Sequence, residues 1–299
     1  TGRTMCHPTS AVAAPTPASD GERIYAFYSS NDLICLDLDG NLQWLRGFTF
    51  DSPTAANDTG MASSPLVVDG TVIVQIESQG DSFCAGVDAL TGATLWRVDR
   101  GQSANWASPA LLKSGDRDLV MLQSGGELTV HDPRTGEVQF DVEGRFDVIA
   151  SSVTTSDLMF VPSEGLTALK ADADAEYKPL WQANQLRPSN ASPVVHRDRV
   201  YIVNSAGVLA CGDANTGEIL WRVRLKGPFW ATPVIAGEHI YCVNQDGAVH
   251  VVRLGEGPND EGELVVTHEL NESVLASPAV ADDAIYVRSN EHLWKFASE

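Results

Sequence analysis

A recurring dipeptide constrains this chain more than any other feature. A Ser or Thr followed by Pro, once by Val, returns at Thr16-Pro17, Ser64-Pro65, Ser108-Pro109, Ser152-Val153, Ser192-Pro193, Thr232-Pro233 and Ser277-Pro278. The steps between second members are 48, 44, 44, 40, 40 and 45 residues. Strand-like content repeating at that period predicts a propeller, in which each repeat is one blade that buries its faces against its neighbours.

The internal grammar supports this reading. After Pro193 comes a short apolar run, then a polar turn at 196–199, a second run at 200–203 and a Gly-containing turn at 204–207. A third run at 208–211 ends near Asp213, and Thr216-Gly217 turns the chain into a fourth run at 219–223. Four short strands with turn residues between them make one antiparallel blade. In the fourth strand a Gly precedes a bulky residue by four positions: Gly40 and Trp44, Gly92 and Trp96, Gly136 and Phe140, Gly217 and Trp221, Gly262 and Val266. The Gly supplies the positive φ of a tight turn, and the ring covers the seam to the next blade. The fourth unit is a worn copy, with Leu180-Trp181 and no Gly at that offset.

No segment sustains a 3.6-residue amphipathic period, so helices should be few and a two-domain α/β fold is excluded. The expected fold is all-β, a β-propeller of four-stranded antiparallel blades forming one domain over residues 1–299. Seven repeat units are visible, at about 15–48, 63–98, 107–142, 150–184, 191–225, 231–266 and 276–297. The last ends before its fourth strand. Propellers commonly borrow that strand from the N-terminus, which pairs an exposed edge. Thr1 to Thr9 is the segment at hand, without a Trp and with little strand pattern. Two closures stay open: seven blades, or an eight-bladed ring whose first blade lies before Thr1. The non-Met start favours the second.

Composition removes several classes of function. Lys plus Arg is 20 against 40 Asp plus Glu, a formal charge of −20. A phosphate backbone or an anionic membrane surface needs the opposite sign. A hydrophobic content of 43% supports a large core. No apolar run approaches the ~20 residues that span a bilayer. No signal-peptide pattern is present, although a start at Thr1 leaves room for a removed segment upstream. The five cysteines are odd in number and form no tight pair, which argues against a disulfide framework or a zinc site. Cys35 and Cys211 each stand two residues before an Asp in equivalent stretches and read as small buried strand residues.

Stretches 85–100 (AGVDALTGATLWRVDR), 191–207 (ASPVVHRDRVYIVNSAG) and 209–225 (LACGDANTGEILWRVRL) resemble the pyrroloquinoline-quinone-like repeat. That repeat builds eight-bladed quinoprotein dehydrogenases and the similar propeller of an outer-membrane-assembly lipoprotein. The resemblance runs from about residue 15 to 297. It implies the fold strongly and the activity weakly, because one fold hosts many functions. A quinoprotein dehydrogenase would need an Asp base and a calcium ion held by oxygen donors, and many have a vicinal Cys-Cys pair. No adjacent cysteines occur here, and the Asp residues fall mainly in turns. The seven histidines are scattered, with no pair at ligand spacing, and no triad, phosphate-binding loop or HExxH appears. No catalytic residue, metal or cofactor is therefore expected, with pyrroloquinoline quinone plus calcium as the alternative.

Propeller topology places a binding site at the channel mouth, among the loops that enter each inner strand. Trp106 and Trp230 occupy equivalent positions in NWASP and FWATP. Asn105, Phe229, Arg100, Arg145, Arg187 and Lys226 sit in phase with them. Aromatic residues beside Arg suit a protein or small-molecule ligand, although the same rings also suit packing beneath the loops with the cations reaching to water. Loop 47–62 is the longest connection, a lid or a tolerated insertion. Acidic segments 171–177 and 255–262 read as solvated. Three functions stand side by side. The favoured one is a noncatalytic scaffold for interaction or ligand binding. The others are a quinone-dependent dehydrogenase and a propeller module of a larger extracytoplasmic protein. A monomer in the periplasm or outside the cell is expected, without nucleic acid and without a transmembrane segment.

Overall fold

The computed structural model describes residues 6–8, 10–171, 177–255, 257 and 260–297. Most of the proposed closing segment Thr1 to Thr9, and parts of the two acidic segments, lie outside those residues. The chain forms two compact units, Thr1–Asp157 and Leu158–Glu299.

In the first unit, β1 (Ala18–Ser19), β2 (Arg23–Phe27), β3 (Asp32–Asp37) and β4 (Leu42–Gly47) form one sheet, followed by a one-turn helix α1 (Phe48–Asp51). A second sheet holds β5 (Leu66–Val68), β6 (Thr71–Ile76), β7 (Phe83–Asp88) and β8 (Thr94–Asp99). A third holds β9 (Ala110–Ser114), β10 (Arg117–Gln123), β11 (Glu127–His131) and β12 (Val138–Glu143). The fourth sheet begins with β13 (Val153–Thr154) and continues as β14 (Leu158–Pro162), β15 (Leu166–Ala171) and β16 (Tyr177–Ala183). In the second unit follow β17 (Val194–His196), β18 (Arg199–Val203), β19 (Val208–Asp213) and β20 (Ile219–Arg224). Then come β21 (Val234–Ala236), β22 (His239–Val243), β23 (Ala248–Arg253) and β24 (Glu263–Glu269). The last sheet has only β25 (Ala279–Ala281), β26 (Ala284–Arg288) and β27 (Leu293–Ala297).

Every sheet pairs sequential antiparallel neighbours, six with four strands and one with three among the described residues. This is an all-β seven-bladed propeller, as the repeat predicts. The second and third strands are covered on both faces; β6 is buried along its whole length. The outermost strands show one face, as in β8, where Trp96 is buried between exposed neighbours. Loop 47–62 is less irregular than its composition suggests, because α1 turns inside it.

The regularity in the fourth strand proves to be a contact between blades. The ring of one blade lies on the turn glycine of the next. A Cβ on Gly92 would stand 2.9 Å from Trp44, one on Gly136 2.6 Å from Trp96, and one on Gly217 2.7 Å from Trp181. Each indole N–H then donates to a carbonyl of that same turn: Trp44 to Ala89 at 3.1 Å, Trp96 to Pro133 at 2.9 Å and Trp181 to Ala214 at 3.0 Å. The glycine therefore serves twice, by taking a φ of 73–75° and by leaving room for a flat ring. Directly across the ladder from each Trp stands a small residue: Cys35 opposite Trp44, Gly86 opposite Trp96, Ala168 opposite Trp181 and Cys211 opposite Trp221. Both cysteines are fully buried free thiols. A β-bulge follows at this point in all six four-stranded sheets and turns the outer strand, which carries a ring there in five of them and Val266 in the sixth.

The Ser/Thr of the recurring dipeptide links the innermost strands. The backbone N–H of Thr16 donates to Ser64 Oγ, that of Ser64 to Ser108 Oγ and that of Ser108 to Ser151 Oγ, each at 2.9 Å. In the second unit Ser192 donates to Thr232 Oγ1 at 3.0 Å and Thr232 to Ser277 Oγ at 2.9 Å. One register needs correction. In the fourth repeat the linking hydroxyl belongs to Ser151, not to Ser152, whose Oγ instead donates to Gln123 Oε1. Where the dipeptide has Val in place of Pro, the repeat shifts by one residue.

The double duty of the turn glycine is testable. Gly115 has φ 60° and open space around its missing Cβ, whereas Gly136 has φ 75° and a neighbouring indole. Gly115→Ala should lose about 1 kcal/mol of stability from the left-handed backbone alone. Gly136→Ala should lose roughly 2–3 kcal/mol more from overpacking. Urea unfolding of the two variants decides; equal losses would show that the ring seat contributes nothing.

Candidate functional site

Strands alternate in direction, so the turn between second and third strands and the exit from the fourth emerge at one end of each blade. In the first unit this loop face is organised by a buried acid, Glu77, just after β6, with 1% of its surface exposed. Its Oε1 accepts from Arg100 Nε at 2.9 Å, Gln75 Nε2 at 2.8 Å and Ser124 Oγ at 2.7 Å. Its Oε2 accepts from Asn105 Nδ2 at 3.1 Å. Arg100 spends its other nitrogens on Thr129 Oγ1 at 2.7 Å and Ser124 Oγ at 2.6 Å. A buried ion pair is tolerated only when its remaining donors and acceptors are satisfied, and this one comes close to that condition.

The network continues to the seam between blades. Thr129 Oγ1 lies 2.9 Å from His131 Nε2, and His131 Nδ1 lies 2.9 Å from the carbonyl of Gly136, the glycine under Trp96. A carbonyl only accepts, so Nδ1 carries a proton. Burial, as the dominant effect, holds the pKa below the ordinary 6.5 and so favours the neutral ring, in which Nε2 accepts from the Thr hydroxyl. The imidazole stacks on Trp96 with planes 4° apart. His250 in the second unit repeats the device. Its Nε2 donates to the Lys226 carbonyl and its Nδ1 faces Thr267 Oγ1, and burial again lowers its pKa.

The predicted site residues separate by depth. Arg100 and Asn105 meet at Glu77 and are buried. Phe229 is 2% exposed and packs on His250 with ring centres 5.9 Å apart. Trp106 and Trp230 are half-buried. The Trp106 indole donates to the Gly60 carbonyl at 2.9 Å and that of Trp230 to Gln245 Oε1 at 3.1 Å. Arg145, Arg187 and Lys226 are exposed. Trp106, Asn105, Arg100 and Arg145 belong to the first unit, and Arg187, Phe229 and Trp230 to the second.

Loop 47–62 is bound in place along its length. Arg97 Nη1 donates to Ser52 Oγ at 2.8 Å, Asn31 Nδ2 to the Ala55 carbonyl at 2.5 Å, and Asn57 Nδ2 to the Glu77 carbonyl at 3.0 Å. Phe48 is buried between Phe27 and Phe83. The loop thereby holds Phe50 out in water, 90% exposed. Sequence reasoning missed Glu77, Gln123 and Phe50. Gln75 and Glu77 were the available signal, two polar residues on alternate positions of an otherwise apolar run.

A quinone centre would need a hard cation in a cage of six or more oxygens. Among the described residues, the one group of at least three metal-ligating acids, histidines or cysteines is Glu272, Glu291 and His292, two carboxylates with an imidazole at the surface. That donor set does not fit such a centre.

Removing one partner of the buried pair leaves a bare charge. Arg100→Ala and Glu77→Ala should each lose about 3–5 kcal/mol in urea unfolding. Acidification should act through His131 and His250. Their folded pKa values are depressed, so the unfolded chain binds the protons first; the stability present above pH 6.5 is lost as pH falls through the folded values. The urea midpoint should drop from pH 7.5 to 5.5, and drop less in His131→Gln.

The profile described as outer membrane protein assembly factor BamB matches residues 1–151 and 165–257. Among solved structures, BamB from Moraxella catarrhalis superposes with a TM-score of 0.72 at 18% identity, covering 96% of this chain and 82% of that one. A europium-containing methanol dehydrogenase superposes with a TM-score of 0.69 at 12% identity, covering 93% of this chain and 73% of that one. These two likenesses establish the fold alone. No curated protein matches the chain. With more than half of its length matched, the chain belongs to the pyrroloquinoline-quinone-like repeat family of outer membrane protein assembly factor BamB.

Proposed function

We propose that this protein is a noncatalytic scaffold outside the cytoplasm that binds a protein partner in the assembly of outer-membrane proteins. The family match over residues 1–151 and 165–257 carries this reading. The loop face supports it physically. An exposed aromatic on a loop already fixed by side-chain hydrogen bonds loses little entropy on binding, which is how a few residues come to dominate an interface. Phe50 meets that description, with Ile149 also exposed on a loop of the same unit. The buried Glu77–Arg100 network acts as the mount for that surface, since it receives the strand ends and loops that present it.

The experiment is a photo-crosslinking side chain at position 50, with the protein expressed in the envelope of a bacterium that has an outer membrane. A discrete adduct with an outer-membrane barrel protein or a component of its assembly machinery is expected. A probe at Leu180, on an outer strand, should give none. Phe50→Asp should weaken the interaction tenfold or more, the scale of an interface anchor, with the unfolding midpoint unchanged. Quinone-dependent alcohol oxidation, or no adduct at position 50 or 149, would overturn the proposal.

A further inference from the structure

The loop face of the second unit contains a grouping that the assembly role does not use. Glu272 lies in the loop between β24 and β25, and Glu291 and His292 lie in the turn between β26 and β27. One ligand atom from each lies within 4.8 Å of the others. We propose that these three side chains bind a single first-row divalent cation of the zinc type, with one imidazole nitrogen and two carboxylate oxygens as ligands.

The backbone around Glu272 is fixed before any cation arrives. Leu270 N–H donates to the Gly247 carbonyl at 3.0 Å, and Val274 N–H donates to the Gln245 carbonyl at 3.1 Å. Asn290 N–H donates to the Ser273 carbonyl at 3.0 Å, which ties the two ligand-bearing loops to each other. A Cβ on Gly247 would stand 2.1 Å from the Glu272 carbonyl oxygen, so only glycine lets the loop approach this closely.

Glu272 is oriented as well, while Glu291 and His292 stand at the surface. Ser289 is 1% exposed and donates its hydroxyl to Glu272 Oε2, while the Trp294 indole donates to Ser289 Oγ at 3.2 Å. Glu272 Oε1 is left directed at His292 Nδ1, 2.7 Å away. A buried hydroxyl steering a carboxylate, with an indole steering the hydroxyl, is the supporting shell that metal sites use. A cation would take the place of the proton now between Oε1 and Nδ1. Metal–ligand bonds of about 2.0–2.1 Å in a tetrahedron place neighbouring ligand atoms roughly 3.3 Å apart. His292 opens to that separation by a small side-chain rotation, and its side chain is 61% exposed.

The donor set selects the metal. An imidazole with two carboxylates suits zinc and its first-row neighbours, whereas calcium and magnesium prefer all-oxygen shells. Three protein ligands leave a fourth position open to water or to a donor from another molecule.

The test is calorimetric titration of the chelator-treated full chain with zinc chloride alone, and with calcium or magnesium chloride in parallel. A Cys6→Ser background removes the exposed thiol next to His7. One zinc per chain at micromolar affinity or tighter is expected, with no heat from calcium or magnesium at the same concentrations. His292→Ala and Glu272→Gln should each weaken zinc at least tenfold, and Ser289→Ala should weaken it about tenfold through loss of orientation. Metal-free melting curves of the variants that overlay the parent show that the loss is one of ligands and not of folding. Zinc bound equally well by His292→Ala, equal binding of calcium, or no binding at all would each overturn the proposal. If His292→Ala misfolds, Glu291→Gln carries the same comparison.

Discussion

An aromatic ring resting on a bare glycine is the interaction from which the rest of this structure follows. A β-blade with a polar outer edge has no reason to adhere to its neighbour along that edge. Trp44, Trp96 and Trp181 supply one, each bringing a large apolar surface and one N–H that finds a carbonyl in the adjoining turn. The contact is directional, because the ring always belongs to the earlier blade and the glycine to the later one. It also imposes demands elsewhere: a small residue across the ladder, a bulge to aim the ring, and an Asp-led turn to hold the glycine. Asp88 accepts from the amides of Leu90 and Thr91, and Asp213 from those of Asn215 and Thr216.

This explains why the fold was legible in the sequence. The parts that make one blade grip the next are short, local and repeated, so a period of 40 to 48 residues and a Gly-x-x-x-Trp spacing expose them. Even the buried cysteines were readable as small residues, although their reason for being small, the indole opposite, was not. The Ser-to-Ser link between inner strands was visible only as a recurring dipeptide. Its partner in the next repeat has no local signature, which is why the shift to Ser151 escaped notice.

The loop face was much less legible, for a physical reason. Glu77, Arg100, Asn105, Gln123 and Ser124 come from separate stretches, and nothing within any one of them requires the others. Phase within the repeat brought Arg100 and Asn105 under suspicion as surface groups, but phase cannot separate a side chain that points to water from one that turns inward to a buried acid. Glu272 and His292 are 20 residues apart and meet only because two loops emerge at the same end of their blades. Long-range polar grouping is a product of topology, whereas blade grammar is written along the chain.

The sixth blade shows what happens when one part of the grip is missing. Trp221 of the fifth blade is as well buried as its counterparts and also lies on a glycine, Gly262. Beyond it, β24 is exposed at all seven positions and the closing position holds Val266 instead of a ring. Val266 offers less apolar surface than an indole and no N–H to donate, so the sheet of β21 to β24 has less to hold it to the next blade than its predecessors have. Opening should therefore begin at the sixth and seventh blades: their amides should exchange with solvent first, a protease should find its earliest foothold there, and any ligand that joins the two blades would stiffen the protein where it is softest.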